Sequence, residues 1–235
     1  MDNKIKIGIV NENSNKKMEI EEISYFINNK LNYKHSIYIE DYDLLKKGFG
    51  VEADLKMIEN LEYNNTPAIA DWKKRFILFG NLFFENNRTL INKQAIFLHE
   101  IGHIVNTRKN LIINNHYSNL VNNIYNEYLA DKFLFDLSKE IFKDGRVEED
   151  LKMIPEKNRK NNKSIFLDLG RLYYYNNFLD LEIVSDKIRI LKESISEHKF
   201  ILDKLKVLCN RFNSERFEDM TKEFIEIEEE IESVV

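Results

Sequence analysis

The stretch FLHEIGHIVN, Phe97 to Asn106, sets two of the chain's five histidines one helical turn apart, with a carboxylate directly after the first. Residues i and i+4 of an α-helix project from the same face. His99 and His103 can therefore aim their imidazoles at one point, while Glu100 is turned about 100° round the axis. This is the H-E-x-x-H arrangement: two neutral imidazoles bind Zn2+, and the Glu stands beside the open position to take a proton from water. Around the histidines lie Phe97, Leu98, Ile101, Ile104 and Val105, whereas Asn92, His99, Glu100, His103, Asn106 and Thr107 share a polar side. A helix apolar over most of its surface is largely buried. The bland alternative is a polar side that faces solvent.

A second helix, predicted from Leu120 to about Phe142, discriminates between the two. Projected at 3.6 residues per turn, its apolar face holds Leu120, Ile124, Ala130, Leu134, Phe135 and Ile141, with Glu127 at the centre and Asp131 one turn on. A buried carboxylate needs a cation or strong donors to offset its desolvation. Glu127 thus reads as the third protein ligand of a His2Glu set with one open position, the pattern of catalytic zinc. Asp131 reads as the carboxylate that takes a ligand histidine's other N–H and fixes its tautomer. Two alternatives stay open. Glu127 and Asp131 could pair with a cation of another segment, such as Arg108 or Arg75, or His116 in the connecting loop could be the third ligand. A developing oxyanion also needs a donor besides the metal; His116, Tyr117, Tyr125 and Arg108 are unranked candidates. His35 and His198 read as surface residues. After His103 comes IVNTRK, which lacks the glycine and third histidine of the metzincin pattern.

The rest of the chain frames this pair of helices. KIKIGIV (4–10) alternates as a strand does, KKMEIEEISYFINNKL (16–31) repeats its apolar residues at helical spacing, and HSIYIE (35–40) alternates again. This β-α-β opening predicts a sheet with a helix packed on it. ADLKMIENLEY reads as helical, and RFILFGNLFF (75–84) is the strongest strand candidate. Thr89 is placed to N-cap the histidine helix from Leu90 to about Thr107. PEKNRKNNKS (155–164) is linker-like, and everything from Ile165 on is helical in pattern. The apolar spacing of 182–208 reads as intramolecular packing in preference to a partner surface.

Bulk composition excludes several classes. The single cysteine rules out an internal disulfide or a multi-cysteine metal site. A formal charge of −5 leaves no overall footprint for nucleic acid or an anionic membrane. The start has no signal-peptide core, and the apolar runs are too short to span a bilayer. The expectation is a cytoplasmic protein.

LHEIGHIV followed by NEYLADKFLFDL resembles the ImmA/IrrE group of metallopeptidases, in which an H-E-x-G-H helix precedes a second helix bearing a Glu, then Ala-Asn or Ala-Asp. The matching positions are His99, Glu100, Gly102 and His103, then Glu127, Ala130, Asp131 and Phe133. RFILFGNLFF sits where such proteins place the sheet edge that lines the substrate cleft. The likeness covers roughly residues 70–142. It implies an α+β fold: a zincin-like catalytic domain (1–150) with a small mixed sheet, followed by a helical C-terminal extension (151–235). It further implies an intracellular endopeptidase using one Zn2+ ion, partnered with a helix-turn-helix repressor that it removes or inactivates. The chain departs from the group in its long helical C-terminal region and its connecting loop.

The leading expectation is therefore peptide-bond hydrolysis, with His99, His103 and Glu127 as metal ligands, Glu100 as general base and Asp131 behind a histidine. A binding or sensor module of the same fold, without proteolysis, is the alternative. A SprT-like DNA-associated protease, a family with a histidine downstream where His116 stands, is a third reading. The acidic balance speaks against it.

Overall fold

The computed structural model describes residues 4–10, 13–31, 38–41, 57–59, 61, 66–106, 112–113, 116–117, 120–139, 162–178 and 182–234. It is mostly helical with a small mixed sheet, an α+β architecture. Packing divides the chain into two compact units, residues 1–107 with 130–150 and residues 108–129 with 151–235. The stretch 108–129, which the sequence reading assigns to the catalytic domain, thus groups with the C-terminal helices.

The first unit is built on β1 (Lys4–Ile9), β2 (Tyr38–Asp41), β3 (Ala68–Asp71) and β4 (Phe76–Phe79). Their order is β2-β1-β4-β3; β1 pairs parallel with both β2 and β4, and β3 runs antiparallel to β4. The alternation of β1 is realised, with Ile5, Ile7 and Ile9 all buried. Helix α1 (Ser14–Leu31) joins β1 to β2 and buries Ile20, Ile23, Ile27 and Leu31 at helical spacing. That is the expected β-α-β unit.

The expectation for 75–84 needs correction. The strand ends at Phe79, and Asn81–Phe84 form a turn of 3-10 helix. Moreover, β4 is an interior strand between β1 and β3, so among the described strands the sheet edge on this side belongs to β3. Burial on both faces explains the continuous apolar run Phe76-Ile77-Leu78-Phe79, every residue of which is buried. The β3–β4 turn is held by the Asp71 carboxylate, which accepts the backbone N–H groups of Lys73 and Lys74 at 2.9 and 3.0 Å, and closes on Arg75 at φ 52°. Of ADLKMIENLEY, Met57 and Leu61 join Val10, Phe76 and Leu78 in one apolar cluster; Ala53–Lys56, Asn60, Glu62 and Tyr63 lie outside the described residues.

Helix α2 (Leu90–Asn106) carries the histidine motif and matches its predicted bounds closely. The Thr89 hydroxyl accepts the Asn92 N–H at 3.1 Å, the predicted N-cap. The Phe97 ring packs tilted on Phe79 with centroids 4.8 Å apart, and Phe79 meets Phe83 at 4.5 Å, so β4 and the 3-10 turn seat the helix on the sheet. Lys93 pairs with Glu19 and ties α2 to α1.

Helix α3 (Leu120–Leu137) is continuous; its last residues belong to the first unit and its first ten, 120–129, to the second. The second unit also contains a two-residue ladder, β5 (Ile112–Ile113) with β6 (His116–Tyr117), inside the segment read as loop. Its described residues further include the helices α4 (Asn162–Phe178), α5 (Glu182–Glu193), α6 (Lys199–Arg211) and α7 (Thr221–Glu232). Helix α4 begins inside the stretch read as linker. An aromatic cluster of Tyr125, Tyr128, Tyr174, Phe212, Phe217 and Phe224 holds α3 to α4, α6 and α7. The buried Glu228 carboxylate of α7 accepts the first N–H groups of α3, those of Leu120 (2.9 Å) and Val121 (2.6 Å), a charge-assisted helix cap. Leu191, Ile195, Leu202 and Leu205 are buried, as intramolecular packing requires. His198 is partly buried with its ring against Phe166, so it is no plain surface residue.

Candidate metal centre

The two histidines share one face of α2, and any third ligand must come from another element. Gly102 makes a close approach by α3 feasible. A Cβ added there would stand 2.7 Å from the Ala130 Cα, a distance real side chains do not tolerate, so glycine lets α2 lie directly against α3 at Ala130. One residue further along α3, Asp131 meets His99.

Asp131 is almost wholly buried, and its Oδ1 accepts a hydrogen bond from His99 Nδ1 at 2.7 Å. With the proton on Nδ1, His99 carries its lone pair on Nε2. That nitrogen stands 3.0 Å from His103 Nε2, the two rings meeting edge-on at 89°. Glu127 lies one turn before Asp131 on α3. His99, His103 and Glu127 each offer one ligand atom, and these atoms all lie within 4.8 Å of one another.

The donor set fits a divalent ion. Tetrahedral zinc with bonds of about 2.0–2.1 Å to nitrogen and oxygen separates its ligand atoms by roughly 3.3 Å. The two Nε2 atoms are already near that spacing, and the carboxylate arm is within reach of it. Two imidazoles and one carboxylate, with a second carboxylate on the other nitrogen of one imidazole, form a cluster that could hold a metal ion.

No family model, curated protein or solved structure matches this chain. The site therefore stands on its own geometry.

The polar side of α2 does not face solvent: Asn92, His99 and Glu100 are all buried, and His103 is partly so. Glu100 sits on α2 directly after His99, at 8 % exposure, which marks a carboxylate kept from bulk water. Glu127 also has a partner that sequence reasoning did not single out. Arg171 of α4 reaches it with Nη1 3.5 Å from Oε2, both side chains largely shielded. The available signal was faint: an arginine after a glycine in the run FLDLGRLYYY, whose only other charged residue is Asp168.

Of the candidate oxyanion donors, Tyr125 has its ring in the aromatic cluster of the second unit, 4.7 Å from Phe217 and 5.0 Å from Phe212. His116 and Tyr117 lie on β6, in register with Ile113 and Ile112; their side chains, and Arg108 altogether, lie outside the described residues. Among those residues no helix is long and apolar enough to cross a membrane.

Proposed function

We propose that the chain is a zincin-like metallopeptidase of the ImmA/IrrE type, acting in the cytoplasm on a protein substrate, with a helix-turn-helix regulator as the leading candidate. The observation that carries the reading is the arrangement of His99: one ring nitrogen bonded to Asp131, the other facing His103 at 3.0 Å beside Glu127. A bound zinc ion supplies Lewis acidity toward a peptide carbonyl and lowers the pKa of water at its open position. His99 and His103 hold the ion as neutral imidazoles, and Glu127 contributes the anionic ligand. Asp131 keeps the His99 proton on Nδ1, so that Nε2 faces the ion. Glu100 takes the proton from the attacking water and returns it to the leaving amine. The substrate lies extended and adds a strand to β3, the antiparallel edge that packs beside α2.

The competing reading is a metal-free binding or sensor module in which Arg171 is the cation that balances Glu127; their ion pair favours it. Two variants separate the readings. Glu100→Gln keeps the ligand set and is expected to retain stoichiometric metal while losing cleavage of a co-encoded regulator. Glu127→Ala is expected to lose the metal on elemental analysis of the purified protein. Full turnover by Glu100→Gln removes the general base, and a wild type that purifies and titrates without metal removes the enzyme.

A further inference from the structure

Within the second unit, helix α4 packs on the first part of α3 around one glycine. A Cβ added at Gly170 would stand 2.6 Å from the Ile124 Cδ1, so the Ile124 side chain of α3 packs directly over this glycine of α4. The next residue, Arg171, then reaches Glu127, almost one turn along α3 from Ile124. Its Nη1 is 3.5 Å from Glu127 Oε2, with 15 % and 24 % of the two side chains exposed. The first residues of α3 are held from the same region, by the Glu228 carboxylate on the Leu120 and Val121 N–H groups.

A carboxylate that ligates a metal has one more oxygen than a single bond uses and a side chain free to turn. Ligating carboxylates are accordingly held by outer partners, whose loss typically weakens metal binding about 10–100-fold. A guanidinium suits this task because it is planar, always charged and rigid in its donor geometry. From this we infer that Arg171 is a positioning residue for the metal site: it acts through Glu127, orienting the carboxylate toward the ion, and so makes metal binding depend on helix α4. The inference rests on the metal-site reading above. It also deepens that reading, since it assigns a role to a region that the H-E-x-x-H motif does not touch.

The sign of the effect discriminates. A guanidinium also repels a divalent cation, so an arginine acting through charge alone opposes metal binding, and its removal tightens the site. An arginine that orients Glu127 weakens the site on removal.

The test uses the full chain and the variants Arg171→Gln, Arg171→Ala and Arg171→Lys. Zn2+ affinity is measured by competition with a chromophoric chelator. Co2+ absorption spectra report ligand geometry, and thermal unfolding of the metal-free proteins reports structure. The expected result is a 10–100-fold loss of Zn2+ affinity in Gln and Ala, an altered Co2+ spectrum, and partial recovery in Lys, which keeps the charge without the fork. A purely structural role would lower metal-free stability while leaving the Co2+ spectrum unchanged, and overturns the inference. Unchanged or tighter Zn2+ binding overturns it as well. Should Gln and Ala fail to fold, the Lys variant decides on the same two readouts. If the wild type binds no Zn2+, or if His99→Ala and Glu127→Ala bind it as well as wild type does, the metal-site reading itself falls and takes this inference with it.

Discussion

Asp131 shows how much a single buried carboxylate can constrain. At 1 % exposure it depends on its hydrogen bonds to offset desolvation, and the 2.7 Å contact with His99 Nδ1 is one of them. An ionised acceptor holds the ring proton on Nδ1 about twice as strongly as a neutral one. Asp131→Asn keeps the shape but leaves a neutral amide, which no longer enforces the tautomer that leaves the Nε2 lone pair facing His103. The expected outcome is a 10–100-fold loss of Zn2+ affinity, read by chelator competition, with the helical circular dichroism of the metal-free protein retained. Wild-type affinity would mean that the ring orientation is set by packing alone. Cys209 is the counter-example among chemically reactive groups. It is fully buried and its thiol pKa is pushed up by desolvation, so it packs as a small apolar residue, inert toward thiol reagents while the chain is folded.

At the scale of elements, the contact that matters is the crossing of α2 and α3. It depends on Gly102 having no side chain where Ala130 passes. A new Cβ would meet backbone atoms of Ala130, which cannot swing aside. Gly102→Ala should therefore push the helices apart, at a cost of about 1–3 kcal/mol in urea denaturation, and lower Zn2+ affinity by moving Asp131 from His99. A stability equal to wild type would mean that the crossing relaxes without strain. The helices themselves were legible. Ile20, Ile23, Ile27 and Leu31 mark α1 by their spacing, and the Thr89 cap marks where α2 begins. The place of β4 was not legible. An apolar run such as Phe76–Phe79 reads the same whether one face is covered or both, and only the pairing with β1 and β3 makes it an interior strand. The Glu228 cap on α3 was equally hidden, because donor and acceptor lie more than a hundred residues apart in sequence.

For the whole molecule, a metal that binds the folded chain and not the unfolded one must raise its stability. At a free concentration one hundred times Kd the gain is about 2.7 kcal/mol. Zn2+ should accordingly raise the thermal midpoint of the wild type, a chelator should reverse the shift, and His99→Ala should show neither effect. A midpoint indifferent to Zn2+ and chelator would exclude a native site of useful affinity.

The amino-acid order alone determined which side chains share a helix face: His99 with His103 on one, Glu127 with Asp131 on the other. The i, i+4 relation is local backbone geometry, and it holds wherever the helix forms. The tertiary structure alone decided that Asp131 meets His99, that Arg171 meets Glu127, and that β3 takes the sheet edge. Each of these pairs segments distant along the chain. Their meeting depends on which faces bury against one another and how closely a glycine lets them approach, and neither leaves a periodic trace in the residues themselves.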